Sequence, residues 1–258
     1  MDGLTFPLQT GRTGVGLFLA MDTAAKEGSL AIGRRTTGAE AGSVGLEVVA
    51  RARLGPEEEH AACLMPRIGE LMEDMGVGPE DLDGFVVGAG PGSFTGVRIG
   101  AATAKGMAWS TKKPLWAFSS LAGAAADVDD GPLRPRLVLF DARGDRVYAA
   151  AFRFAHGVLE TLVPPQATTI GVVLDELIPP GAVLMGDGAV RHQALLEGAG
   201  NQILPPPAGL PSAVGLLRIL SLDLGVPPVA DPGSWEPDYL RESGAERMWK
   251  TRGHWKGP

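Results

Sequence analysis

Thirteen residues, Gly88-Ala-Gly-Pro-Gly-Ser-Phe-Thr-Gly-Val-Arg-Ile-Gly100, constrain the folding of this chain more than any other segment. They follow a short apolar run, Phe85 to Val87, and lead into an apolar stretch reaching about Ser110. The spacing predicts strand, tight turn, then helix. Gly96, Gly100, Ala104 and Ala108 recur every four residues, so one ridge of that helix carries almost no side chains. Glycine inside a helix costs about 1 kcal/mol relative to alanine, and two on one ridge imply that another backbone approaches closely. A helix start of this kind attracts anions. However, the third glycine of a dinucleotide fingerprint falls at Ser93, and no Lys-Ser/Thr pair follows the glycines as a P-loop requires. Ser93 or Thr95 is placed to cap the helix, and the spacing favours capping over phosphate binding.

The remaining pattern is that of an α/β protein. Two apolar runs, 17–21 and 29–32, flank the turn-rich stretch Asp22-Thr-Ala-Ala-Lys-Glu-Gly28 and predict a hairpin, with a third strand over 46–53. The polar segment 33–45 reads as a hairpin tip. Residues 57–75 predict the strongest helix, acidic in its first turn (Glu57, Glu58, Glu59). Ala61, Leu64, Met65, Ile68, Leu71, Met72 and Met75 form its apolar stripe. Pro66 is expected to kink it or delay its start, and Gly76 to stop it. A second half follows: a helix over 119–126, a strand over 136–140 ending at Asp141, a turn at Arg143-Gly144-Asp145, and a strand over 147–154. Then come a Pro-rich connection, a helix over 169–177, a strand over 182–185, a helix over 189–197, the stiff Pro205-Pro206-Pro207 and a helix over 212–224. Leu19–Asp22 and Leu139–Asp141 each end an apolar strand on an Asp before a turn, a weak internal echo of one half in the other.

Asp22 and Asp141, each at a strand end, are candidates to face a shared cleft and hold a metal-bound nucleotide, although Asp in a turn commonly satisfies nearby N–H groups instead. Gly186 and Gly188 would let an adenosine touch backbone, and a strand-to-helix turn explains them equally well. His60, His156, His192 and His254 are scattered and form no HxxxH or HExxH pair, so zinc or iron chemistry and a metallopeptidase are not expected. Cys63 is the one cysteine, which rules out an intrachain disulfide and reads as an inert packing thiol. Ser93 lacks the GxSxG context of a nucleophile. With a net charge of −7 the chain is not expected to hold nucleic acid by itself. The basic tail (Lys250, Arg252 and Lys256, with Trp249 and Trp255) is the one segment composed for RNA, and a frayed terminus is the simpler reading. No run approaches the roughly 20 apolar residues of a spanning helix, and the opening residues lack a signal-peptide core, so a cytoplasmic protein without membrane contact is expected.

The string Gly90-Pro-Gly-Ser-Phe-Thr-Gly-Val-Arg-Ile-Gly100 closely resembles the signature of the TsaB (YeaZ) family, a subunit of the bacterial tRNA threonylcarbamoyladenosine machinery. Leu19-Ala-Met-Asp22-Thr23, His60 with Leu64-Met-Pro66, Phe140-Asp-Ala-Arg143 before Val147-Tyr148, and Pro237-Asp-Tyr-Leu-Arg241 match in the same order. The resemblance implies an ASKHA (actin/Hsp70/sugar-kinase-like) α/β fold: two ribonuclease-H-like lobes with mixed β-sheets flanked by helices. On that basis residues 1–16 are an N-terminal extension, 17–112 the first lobe and 113–208 the second. Residues 209–258 are a helix and tail returning to the first lobe.

The resemblance further implies a non-catalytic dimerisation subunit that supports a TsaD-like transferase, with a TsaE-like ATPase as third component and tRNA reached only through the complex. TsaD-like relatives hold a metal through HxxxH on the first helix, where this chain has His60 and Leu64. The family pairs through its first two helices, which makes His60, Leu64, Met65, Ile68, Met72, Gly96, Gly100 and Ala104 the expected partner interface; filling the chain's own core is the competing reading. A homodimer of the isolated chain is also open. ATP or ADP with Mg at a subunit interface is the one candidate cofactor. The Asp22 loop lacks the Gly- and hydroxyl-rich phosphate cradle of ATP-using relatives. The alternative function is an independent ASKHA-type ATPase or small-molecule kinase.

Overall fold

A computed structural model of the chain describes residues 16–37, 44–55, 58–129, 131, 133–155, 157–223 and 225–240. The leader through residue 15, segment 38–43, Glu57, His156, Arg241, His254 and the basic tail lie outside them. In the first lobe, β1 (Leu17–Asp22), β2 (Gly28–Thr37) and β3 (Val44–Leu54) form an antiparallel meander. To the other side of β1, β4 (Gly84–Gly88) and β5 (Leu115–Phe118) add parallel strands, giving the order β3-β2-β1-β4-β5. The second lobe repeats that path. Its meander is β6 (Arg136–Asp141), β7 (Arg146–Ala155) and β8 (Val158–Thr169). The parallel additions are β9 (Val183–Met185) and β10 (Gln202–Ile203), in the order β10-β9-β6-β7-β8. Two copies of one ribonuclease-H-like lobe make this an ASKHA fold, and β1 and β6 correspond, each ending on an Asp.

Burial follows from the layers. α1 (His60–Glu73) and α2 (Phe94–Thr111) cover one face of the first sheet, where Leu64, Ile68, Met72, Ala104 and Met107 meet Leu19, Met21, Leu30 and Phe85. α7 (Ala213–Leu222) covers the other face, against Phe18, Ala20, Ala31, Val86 and Trp116. α3 (Ser120–Ala126), built only of Ser, Leu, Gly and Ala, lies on the second sheet against Val138, Phe140 and Ala150. The far face of that sheet is closed by α4 (Ile170–Val172) with the π turn Val173–Leu177, and by α5 (Asp187–Arg191) and α6 (Gln193–Gly198). α3 and α7 pack directly on each other between the two sheets. A Cβ on Gly215 would collide with the Gly123 carbonyl oxygen, so the two backbones meet where neither has bulk. Ser212 joins the same junction: its hydroxyl caps α7 through Gly215 N–H (3.0 Å) and donates to Asp127 (2.7 Å).

Several expectations need correction. α1 starts at His60 rather than residue 57, so no acid occupies its first turn. Glu58 instead accepts from Gly55 N–H and pairs with Arg67 at 3.2 Å. Pro66 sits inside α1, which continues through it. The expected helix over 189–197 breaks at His192 into α5 and α6. The supposed tip 33–45 is partly strand, since β2 reaches Thr37 and β3 begins at Val44. The Pro-rich connection after Phe154 is the edge strand β8. Val163 pairs with Ala151 and Gln166 with Ala149, which leaves Pro164 and Pro165 at a ladder irregularity. A missing N–H costs no interstrand bond there. β10, two residues long, is below the reach of any periodicity argument. Among the described residues no helix is long and apolar enough to cross a membrane.

Gly215→Ala is expected to destabilise by about 2 kcal/mol or more, the usual scale for overpacking. The thermal midpoint followed by circular dichroism should fall by about 5 °C; an unchanged midpoint would show that α3 and α7 are free to separate.

Candidate functional site

The glycine-rich turn is occupied by the chain itself. After β1 the loop through Thr23 and Ala24 lies directly on the start of α2: Ser93 N–H donates to the Ala24 carbonyl at 2.6 Å, and Thr23 Oγ1 donates to the Gly96 carbonyl at 2.7 Å. A Cβ on Gly92 or Gly96 would run into the Ala24 or Thr23 carbonyl, and one on Gly100 would lie 2.5 Å from Thr23 Oγ1. The bulk-free ridge therefore receives this loop. Ser93 is the cap, its hydroxyl accepting from Gly96 N–H at 3.3 Å. His60, 9% exposed, fastens the far side of the loop through a 3.0 Å contact from Nε2 to the Lys26 carbonyl.

The two candidate acids are not brought together. Asp22 is fully buried, with no exposed surface, beneath Gly88; it accepts from Ala24 N–H (3.1 Å) and Ser120 Oγ (3.0 Å). Its second oxygen, Oδ2, is buried without a hydrogen-bond partner among the described residues. Burial pushes the Asp22 carboxyl up to about 7, against the smaller downward pull of the Ala24 and Ser120 hydrogen bonds. Asp141 lines the interlobe cleft, where its carboxylate pairs with Arg191 at 3.2 Å and accepts from Arg143 N–H at 2.8 Å. Its own N–H donates to Asp187 (3.0 Å), whose carboxyl is raised chiefly by burial. A magnesium-bound nucleotide held jointly by Asp22 and Asp141 does not fit this arrangement. Among the described residues no group of three or more His, Cys, Asp or Glu is placed to hold a metal. Gly186 and Gly188 are packed against the end of β6: a Cβ on Gly188 would lie 2.9 Å from the Leu139 carbonyl, and Gly186 is blocked by the same atom.

The cleft between the lobes measures about 870 Å³. Ala24, Lys26 and His60 with the first turn of α2 form one wall, and Phe140, Asp141, Arg143, Arg146 and Tyr148 face them. Asp238, Tyr239 and Leu240 close a third side. Sequence reasoning did not find the clasp that holds this last segment. The Arg98 guanidinium lies 3.8 Å from the Phe94 ring centre and 5.3 Å from that of Tyr239, and its Nε donates to the Tyr239 hydroxyl at 3.1 Å. Those partners are 141 positions apart, so no local pattern announces them.

The expected partner interface is largely internal. Leu64 and Ile68 are each 1% exposed, and Met72, Gly96, Gly100 and Ala104 are also buried within this chain. They fill its own core or seat its own loop, as the competing reading of the same residues expects. Met65 (53% exposed) is the one side chain of that set left in solvent, and on α2 the unanticipated Trp109 is 71% exposed. Gly69 and Gly106 lie on the outer sides of the same helices, each with room for a Cβ that would touch nothing within 4 Å. The Cys63 thiol is raised above its usual range by burial first and Glu58 second, in keeping with an unreactive packing group.

Asp22 makes stability pH-dependent. Below the unfolded-state value the carboxyl is protonated in both states. From there to about 7 the unfolded chain loses a proton that the folded chain keeps, so stability declines as pH rises. The shift from 3.8 to about 7 corresponds to about 4 kcal/mol across that window. Asp22→Asn should flatten the pH dependence of urea unfolding between pH 4 and about 8; identical slopes in both proteins would contradict this.

A model of the tRNA N6-adenosine threonylcarbamoyltransferase family, TsaD, matches residues 55–203. The tRNA threonylcarbamoyladenosine biosynthesis protein TsaB of Bacillus subtilis (strain 168) is 33% identical over 206 residues, which is 75% of this chain and 84% of that protein. A tRNA N6-adenosine threonylcarbamoyltransferase of Methylobacterium sp. (strain 4-46) is 34% identical over 147 residues, 56% of this chain and 38% of that one. A crystal structure of a Pseudomonas aeruginosa protein similar to the peptidase YeaZ superposes with a TM-score of 0.69 at 24% identity, covering 88% of this chain and all of the other. The duplicated lobes, the glycine turn seated on the Thr23 loop and these relationships lead to one assignment: the chain belongs to the TsaB (YeaZ) family of tRNA threonylcarbamoyladenosine biosynthesis proteins.

Proposed function

We propose that the chain acts in N6-threonylcarbamoyladenosine synthesis as a non-catalytic subunit that pairs with a TsaD-like transferase. The transferase would modify the tRNA adenosine next to the anticodon. The observation that carries this reading is the outer face of α1 and α2, where Met65 and Trp109 stand in solvent beside the small residues Gly69 and Gly106. Exposed Trp beside low relief is the composition of an interface anchor with room for a partner helix. The core beneath is complete, so docking there requires no rearrangement of Leu64, Ile68 or Met72.

Two further features support a supporting rather than a catalytic role. α1 carries His60 bound to the Lys26 carbonyl and Leu64 in the core, where TsaD-like relatives place two metal-binding histidines. Asp22 is buried away from the cleft, which removes one of the two acids on which the alternative kinase or ATPase reading relied. A TsaE-like ATPase would complete the assembly in the cytoplasm, with tRNA bound by the complex. When no partner is present, the same helical face would pair two copies of this chain.

Trp109→Glu should abolish co-elution with the TsaD-like protein of the same organism in size-exclusion chromatography, or weaken the pairing by at least about 100-fold, the scale of an interface anchor. Because Trp109 is 71% exposed, its circular dichroism spectrum should be unchanged. Wild-type affinity in the folded variant would overturn the assignment of this face.

A further inference from the structure

The two lobes carry the same antiparallel ribbon at one sheet edge, β2–β3 in the first and β7–β8 in the second, and they treat its arginines differently. In the second lobe Arg153 stands opposite Glu160 across the ladder, and the two form an ion pair at 2.6 Å. In the first lobe Arg51 stands opposite Ala31 and Arg53 opposite Ser29, so neither meets a carboxylate across the strands. Arg34 is paired in register with Glu47, and Arg35 with Leu46. Among the described residues no ion pair or hydrogen bond engages the side chain of Arg34, Arg35, Arg51 or Arg53, and all four are exposed.

Strand alternation sorts them by face. Ala50, Ala52 and Leu54 point into the core under α1 and α2, so Arg51 and Arg53 point to the opposite face. Arg35 shares that side, two residues beyond Gly33, whose Cβ would touch Leu217 of α7. A protein seated on Met65 and Trp109 occupies the other face of the sheet and leaves this row open. In a chain of net charge −7, overall charge cannot draw in a polyanion. A local row of guanidinium groups with no carboxylate partner among the described residues can, because each takes a phosphate without first breaking such an ion pair.

We propose that Arg35, Arg51 and Arg53 form a contact surface for the phosphate backbone of RNA. That the RNA is tRNA held by a TsaD-type complex rests on the function proposed above; the surface itself rests on the ribbon. Charged side chains also guard edge strands against mispairing. Glutamate would serve that purpose as well as arginine, so charge reversal separates the two roles.

The test uses the full-length chain as wild type, as R51E/R53E and as R51K/R53K. Each is titrated against fluorescently labelled tRNA over a range of NaCl concentrations, both alone and with its TsaD-like partner. In the complex, R51E/R53E should weaken binding about tenfold or more and reduce the slope of log K against log salt by about two, at roughly 0.9 per phosphate contact. R51K/R53K should keep most of both. Unchanged affinity and slope in an intact complex would overturn the proposal, as would loss of assembly in R51E/R53E, which would make the ribbon a protein contact. Failure of the wild type to pair with any TsaD-like protein would remove the partner reading instead. The titration of the chain alone would then decide: salt-dependent binding lost on reversal upholds the ribbon, and no binding to RNA refutes it.

Discussion

The seating of one loop on one stretch of glycine backbone organises the first lobe. Thr23 and Ala24 descend onto the start of α2 so closely that Gly92, Gly96 and Gly100 have no room for a methyl group. The hydrogen bonds from Ser93 N–H to Ala24 and from Thr23 to Gly96 then fix the angle at which α2 leaves β4. That angle sets the rest: the inner side of α2 fills the core with Ala104 and Met107, and the outer side presents Trp109 to solvent. A turn that looks made for an anion thus has its nearest approaches taken by main-chain and hydroxyl oxygens of the same molecule.

The duplicated lobes show how one architecture diverges. At the end of β1, Asp22 is sealed beneath Gly88 and bonded to Ser120; at the end of β6, Asp141 remains at the cleft, paired with Arg191. Burial without a countercharge holds the first near neutrality of its carboxyl, whereas the second keeps an arginine partner. The cleft between the lobes is bounded by a C-terminal segment that Arg98 clasps through Phe94 and Tyr239. Asp22 and Asp141 therefore do not converge on one point, and the acid that stands beside Asp141 at the cleft is Asp187.

Local pattern made most strands and helices legible, since period and caps are written in adjacent residues. Of the two cap candidates at the start of α2, Ser93 is the one that accepts an N–H, from Gly96; Ser119 and Ser212 cap α3 and α7 in the same way. The internal echo of Leu19–Asp22 in Leu139–Asp141 was readable as well, and the sheet order confirms it as a repeated path. The ridge on α2 was correctly read as a site of close approach. What approached was not readable, because a loop of the same chain and a foreign helix demand the same small residues. The stripe on α1 misled for a related reason: Leu64, Ile68 and Met72 would look alike under a partner or over a core, and only the sheet beneath decides. Pro164 and Pro165 hid β8, whose edge position and bulge tolerate them. The Arg98–Tyr239 clasp and the β2–β3 arginines, without an ion partner among the described residues, depend on long-range pairing and strand register, which no single segment encodes.

The glycine turn is taken up by this chain's own loop, which leaves no room for a phosphate against Gly92 and Gly96. Isothermal titration of the isolated protein with Mg-ATP tests this most directly. No saturable heat is expected at concentrations up to the millimolar range. Micromolar binding that disappears when Gly92 is replaced by Ala would contradict it.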